Sequence, residues 1–153
     1  MFMDTGHWVF PHEFETDEWF GFLYRITEIS TGMEYVGKKQ LHQHLRVAVK
    51  GKVNKKKVTK SSDWKKYQGS SIRLNLAIAA TGKDNYKFEI VSLHKTRASL
   101  VYAEVRLQIT EEVLRTRLPN GERKYYNGLI SGIKFIPPVE TPEEFLMKVA
   151  ATK

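Results

Sequence analysis

The chain has 153 residues and no cysteine, which excludes a disulfide framework, a Cys-ligated zinc or iron–sulfur centre and a thiol nucleophile. Hydrophobic residues make up 41%, enough for one globular domain of ordinary size, and no run reaches the ~18 apolar residues of a membrane span. The net charge is +8 and is unevenly spread: residues 1–37 set seven acidic groups against Arg25 alone, whereas residues 38–73 set twelve basic groups against Asp63 alone. The expectation is a soluble, cytoplasmic protein. Its basic segment is either the footprint of a polyanion site or a solvated loop, and charge alone weighs the two equally.

Residues 1–20 form an acidic, aromatic arm without Lys or Arg, tied down by Trp8, Phe10, Phe14 and Trp19. Residues 21–37 pattern as a β-hairpin with Thr31-Gly32 as its turn. In that register Glu28 faces Tyr35, and Tyr24 shares the face of Tyr35 because side chains alternate with period two. Lys39 is the next residue on that face beyond Gly37.

Residues 40–69 have no sustained period and predict a basic loop or ribbon. Ser70 or Ser71 is the expected N-cap of a helix over IRLNLAIAA that stops at Gly82. YKFEIVSL (86–93) alternates as a third strand. The longest helical pattern covers 97–118, with Leu100, Ala103, Leu107, Leu114 and Leu118 on one stripe and Glu104 at its edge. Beyond 134 a tail is expected, with a short helix opening at Thr141-Pro142.

Several of these features occur together in a known order. Phe22-Leu23-Tyr24 and, ten residues on, Tyr35-Val36-Gly37 resemble the paired motifs of the GIY-YIG nuclease family. They are followed by a basic segment with Arg46, by Ser70-Ser71-Ile72-Arg73-Leu74 opening a helix, by a Gly and a Phe-containing strand, by a helix with Glu104, and by Tyr126-Asn127. Trp64-Lys-Lys-Tyr67-Gln-Gly69-Ser70-Ser71 also resembles phage-encoded, homing-type (intron or Seg-like) members. The resemblance spans residues 21–130. It implies an α+β fold, a small three-stranded and mainly antiparallel sheet flanked by helices, as a nuclease domain over 21–133 with a basic insertion at 40–69 and a tail at 134–153.

The resemblance also implies a chemistry: hydrolysis of DNA phosphodiester bonds with a single divalent ion, Mg²⁺ or Mn²⁺, on Glu104. A lone carboxylate with waters and a substrate phosphate suits a hard cation, and taken by itself Glu104 is an ordinary helix-surface ion-pair partner. Tyr35 is the implied water-activating base or its orienter, with Tyr24 assisting. A phenol titrates near 10 and needs nearby cations for that work. Lys38 follows the second motif as in repair-type members, while the hairpin register favours Lys39 on the tyrosine face. Arg46 is the implied phosphate clamp; it lies one residue late in the pattern, which leaves Lys50 or His44 as alternatives. Asn127 is implied to anchor the metal-bearing helix or a loop.

The remaining basic residues (Lys39, Lys50, Lys52, Lys55, Lys56, Lys57, Lys60, Lys65 and Lys66), with Ser70 and Ser71, are expected phosphate contacts that add affinity with little sequence information. Trp64 and Tyr67 either stack on bases or pack under a loop, with even weight. The alternative to an enzyme is a non-catalytic basic DNA- or RNA-binding protein, which needs the lysines and not the joint presence of Tyr24, Tyr35, Arg46, Glu104 and Asn127. The expected partner is DNA, with no membrane; too few residues follow the nuclease region for a separate recognition domain, so target choice is expected to fall to the insertion, the acidic arm, a homo-oligomer or a separate specificity partner. The acidic arm is expected to fold over the basic segment when DNA is absent.

Overall fold

The computed structural model describes residues 3–51, 53–54 and 56–131, with backbone alone at 45–47. The expected tail helix beyond 134, the Lys52 and Lys55 contacts and the side chain of Arg46 lie outside the described residues.

Strand β1 (Gly21–Glu28) is the middle of a three-stranded antiparallel sheet, between β2 (Glu34–Gln40) and β5 (Tyr86–His94). Its central place explains its sequence: a strand covered on both faces needs apolar residues at nearly every position. Phe22, Tyr24 and Ile26 face one core with Trp8, Phe14, Trp64, Leu74 and Ile78. Leu23 faces a second cluster with Val91 and Leu100. The sheet is therefore flanked by α1 (Ile72–Thr81) on one side and α2 (Arg97–Thr110) on the other, the expected α+β architecture.

The hairpin register differs from expectation by two residues. Ile26, not Glu28, pairs with Tyr35, and Tyr24 pairs with Gly37. The loop is longer because its backbone is held from outside: the Ile29 N–H donates to the Asn85 carbonyl and the Ser30 N–H to the Asn85 side chain. A shift of two preserves every face, so Tyr24, Tyr35 and Lys39 remain on one side and Lys38 on the other.

The segment expected as a loop or ribbon is a ribbon. Strands β3 (His42–Val47) and β4 (Lys56–Ser61) pair antiparallel and do not join the main sheet. Helix α1 begins at Ser71, whose hydroxyl accepts the Leu74 N–H, and ends at Gly82 with φ +91°. Helix α2 stops at Thr110, short of the expected 118. Glu112 adopts φ +51°, and the chain then turns Val113 into a cluster with Val36 and Tyr125. Leu114 is left exposed. Burial of Val113 outweighs continued helical pitch, so the stripe over Leu114 and Leu118 is not a helix face.

The arm is built into the core. Trp8 and Phe14 are buried, Val9 pairs with the backbone of β5, and the Trp8 indole N–H donates to the Trp64 carbonyl. The arm does meet the basic segment, through Asp4 and Lys65 at 3.2 Å. Trp8 is 3% exposed, so the arm is held to the core by its burial as well as by these contacts.

Candidate active site

The outer edge of β2 organises the site. Its unpaired backbone groups need partners, and residues 124–127 supply them. Glu34 N–H donates to the Lys124 carbonyl, Tyr126 N–H donates to the Glu34 carbonyl, and the Asn127 amide brackets Val36, accepting its N–H at 3.0 Å and donating to its carbonyl at 2.8 Å. Asn127 is 3% exposed. It anchors its own loop to β2 and not the helix that carries Glu104.

Beside this edge lies an open cleft of about 480 Å³. Tyr35 and Lys38 enter it from β2, Ser70 and Arg73 from the start of α1, and Glu104 from α2. Glu104 reaches it because Leu100, one turn earlier, packs on Leu23 and Val91 and fixes the helix against the sheet. Its side chain is 18% exposed, and the Lys38 Nζ at 4.0 Å is its ion-pair partner. Burial pushes the Glu104 carboxyl above the ordinary glutamate range, and Lys38 only partly offsets this.

Tyr24 is fully buried beneath the cleft, its ring packed edge-on against Tyr67 with centroids 6.1 Å apart. The Tyr35 hydroxyl lies 3.1 Å from Ser70 Oγ. The two rings are 6.2 Å apart. Two glycines make this approach possible: a Cβ at Gly37 would lie 2.6 Å from the Tyr24 oxygen, and one at Gly69 (φ +85°) 3.1 Å from the Tyr35 ring. Burial raises the phenol pKa of both tyrosines, most strongly at Tyr24. Both are neutral phenols at neutral pH in this state of the protein.

Sequence reasoning had left Lys38 against Lys39. Lys38 is the one beside Glu104, on the α2 face, while Lys39 pairs with Asp63 at 2.8 Å and lies 4.0 Å over the Tyr67 ring. Trp64, weighed between stacking and packing, packs: it is 1% exposed in the core and offers no face to a base. Tyr67 packs against Tyr24 and also lines a second pocket. Ser71 is occupied as the α1 cap, while Ser70 opens on the cleft. Lys50, Lys56, Lys57, Lys60 and Lys66 are exposed, and Lys65 is held by Asp4. The backbone of Arg46 pairs with Lys57 in the ribbon. His44 is exposed there, with Nδ1 3.1 Å from the Thr59 hydroxyl.

Arg73, part of the Ser70–Leu74 motif, has no role in the sequence pattern. It is exposed at the mouth of the cleft, 5.5 Å over the Tyr126 ring. Its place two residues past the Ser71 cap was the available signal, because the first turn of a helix projects side chains toward whatever lies before it.

Among the described residues no three His, Asp or Glu side chains cluster as a metal site. A single carboxylate, half-buried and incompletely neutralised, is the donor that the cleft offers. Among the described residues no helix is long and apolar enough to cross a membrane.

Residues 8–130 match a family model described as "Putative endonuclease segE, GIY-YIG domain". Comparisons with curated proteins and with solved structures give no significant match. The matched range takes in both tyrosine motifs, the arm at Trp8, the Glu104 helix and the Asn127 loop. The chain belongs to the GIY-YIG family, resembles its phage Seg-type members, and is accordingly a DNA endonuclease that hydrolyses phosphodiester bonds.

Proposed function

We propose that the protein is a divalent-metal-dependent nuclease of the phage or mobile-element, homing type, acting in the cytoplasm that holds its DNA. The observation that carries the metal reading is Glu104: a carboxylate mostly removed from water, with one lysine at 4.0 Å, gains strongly from a second, closer positive charge. Mg²⁺ or Mn²⁺ held by Glu104 would supply Lewis-acid stabilisation of the leaving oxygen.

The other roles follow from placement. Arg73 at the cleft mouth clamps the scissile phosphate with its planar fork; we prefer it to Arg46, His44 and Lys50 because it lines the same cleft as Glu104. Lys38 lies beside both Glu104 and the DNA path and offsets charge on the phosphoryl oxygens. Tyr35, hydrogen-bonded to Ser70, orients the attacking water through its hydroxyl. Tyr24 holds Tyr35 in place from below. Asn127 keeps the edge of β2 rigid. Ser70 and the exposed lysines at 50, 56, 57, 60 and 66 contact the DNA backbone, together with Lys52 and Lys55. Target choice rests on the insertion, a second copy or a separate specificity partner.

The test is cleavage of supercoiled plasmid with Mg²⁺, with Mn²⁺ and with a chelator. Wild type is expected to cut only with metal, Glu104→Gln to lose about 10³-fold, and Arg73→Gln about 10²-fold. Cleavage that persists in chelator sinks the metal reading, and a fully active Arg73→Gln moves the clamp elsewhere.

A further inference from the structure

A second pocket, of about 540 Å³, opens on the other side of Lys38. The end of β2, the start of β3 and the first turn of α2 wall it. Lys38, Lys39, Gln43, His44 and Arg97 are among its lining residues and no carboxylate is, although Lys38 and Lys39 are ion-paired with Glu104 and Asp63 just outside that lining. Lys38 lines both this pocket and the cleft that holds Glu104.

Arg97 is the residue that the fold does not explain. It is exposed and makes no ion pair among the described residues. It is also the first residue of α2, where a cation opposes the helix macrodipole by a few tenths of a kcal/mol or more. A cation kept there against local preference, over a pocket with no carboxylate in its lining, fits a ligand that carries negative charge. The β3–β4 ribbon leads away from the same pocket, exposes Lys56, Lys57 and Lys60, and sits outside the main sheet. An isolated two-stranded ribbon is marginal by itself in water, and its width suits the major groove of duplex DNA.

We propose that this pocket is a second phosphate subsite, held chiefly by Arg97 with Lys39, for a backbone phosphate near the one cut beside Glu104. The duplex then runs from the cleft across Lys38, over the pocket and onto the ribbon. This rests on the nuclease reading for its substrate but concerns binding, not the chemical step.

The experiment measures duplex DNA binding against salt in a Glu104→Gln background, without divalent metal. Arg97→Gln and His44→Gln are compared with Lys87→Gln, an equal loss of charge on β5 away from both pockets. Arg97→Gln is expected to lower the slope of log affinity against log salt by about 0.9, the value of one phosphate contact. His44→Gln is expected to weaken binding with a smaller change of slope, and Lys87→Gln to match the background. In the active enzyme, Arg97→Gln is expected to raise KM with kcat kept, the sign of uniform binding. An unchanged slope and KM in Arg97→Gln, or an equal loss in Lys87→Gln, overturns the subsite. Absence of metal-dependent cleavage would overturn the nuclease mechanism and leave the binding slope to judge the subsite alone.

Discussion

Two carboxylates seven residues apart in sequence, one within α2 and one at its end, have opposite environments. Glu111, the last cap of the helix, is met by the Arg25 guanidinium through two hydrogen bonds of 2.8 and 2.6 Å and by the Tyr125 hydroxyl at 2.7 Å. Burial works against its ionised form, but Arg25 outweighs it and holds the carboxyl below the usual range. Glu104 is comparably buried and has Lys38 at 4.0 Å, and its carboxyl is pushed up. A satisfied charge fastens elements together: Arg25 on β1 also meets Glu34 on β2. An unsatisfied one is a cost that the fold keeps, and such groups concentrate where chemistry is done. Sequence alone cannot separate the two, since both are glutamates on the same helical stretch.

The largest expected effect breaks the comparison at its functional end. Glu104→Gln is expected to lower plasmid cleavage by about 10³-fold while leaving the melting temperature equal or higher, because a buried and poorly paired charge is removed. A clear loss of stability would place Glu104 with Glu111 as a fastener. At the structural end, Arg25→Met leaves Glu111 without its hydrogen-bonded cation and Glu34 with Lys124 alone, at 3.7 Å, and is expected to cost about 3 kcal/mol in urea unfolding. Residual activity, corrected for folded fraction, is expected to stay within a few-fold of wild type; a loss rivalling that of Glu104→Gln contradicts the separation. Asn127→Ala removes both bonds to Val36 and orphans an edge that frames the cleft, for an expected loss of about 2 kcal/mol. Unlike Arg25→Met, it is expected to reduce kcat as well.

The smallest effect is a sign difference with pH. Both carboxyls titrate from a reference of 4.5. For Glu104 the folded state holds its proton more tightly, so wild type and Glu104→Gln are equally stable in acid, and wild type falls behind as pH rises through 4.5 and above. For Glu111 the order reverses: its advantage over Glu111→Gln is present above 4.5 and is lost as pH falls below it. Stability curves of the three proteins from pH 3 to 8 check this, and parallel curves would remove the contrast.

How much was legible beforehand depended on the range of the interaction involved. The N-cap at Ser71 and the stop at Gly82 were plain, because capping is local. The faces of Tyr24, Tyr35 and Lys39 were plain, because they depend only on period two. The register itself was missed by two residues, because Asn85, more than fifty residues away in sequence, holds the loop. The end of α2 was overshot because the apolar spacing of Leu107, Leu114 and Leu118 mimics a helix, while Val113 is drawn out of it by Val36 and Tyr125. Trp64 stood at even weight because an aromatic in a lysine run has the same sequence signature whether it packs or stacks. Arg73 went without a role because its membership of the cleft depends on where α1 docks.

The sequence by itself determined the family, the α+β class, the concentration of positive charge in 38–73 and the pairing of tyrosines on one face, all of which follow from composition, short periods and motif order. Tertiary structure decided the rest. It set Lys38 and not Lys39 against Glu104, gave Asn127 to the edge of β2, buried Trp8 and Trp64, and made one glutamate of α2 a fastener and the other an unsatisfied charge. The physical reason is that propensity and periodicity act between near neighbours, whereas burial, ion pairing and carboxyl titration are properties of what the fold brings alongside.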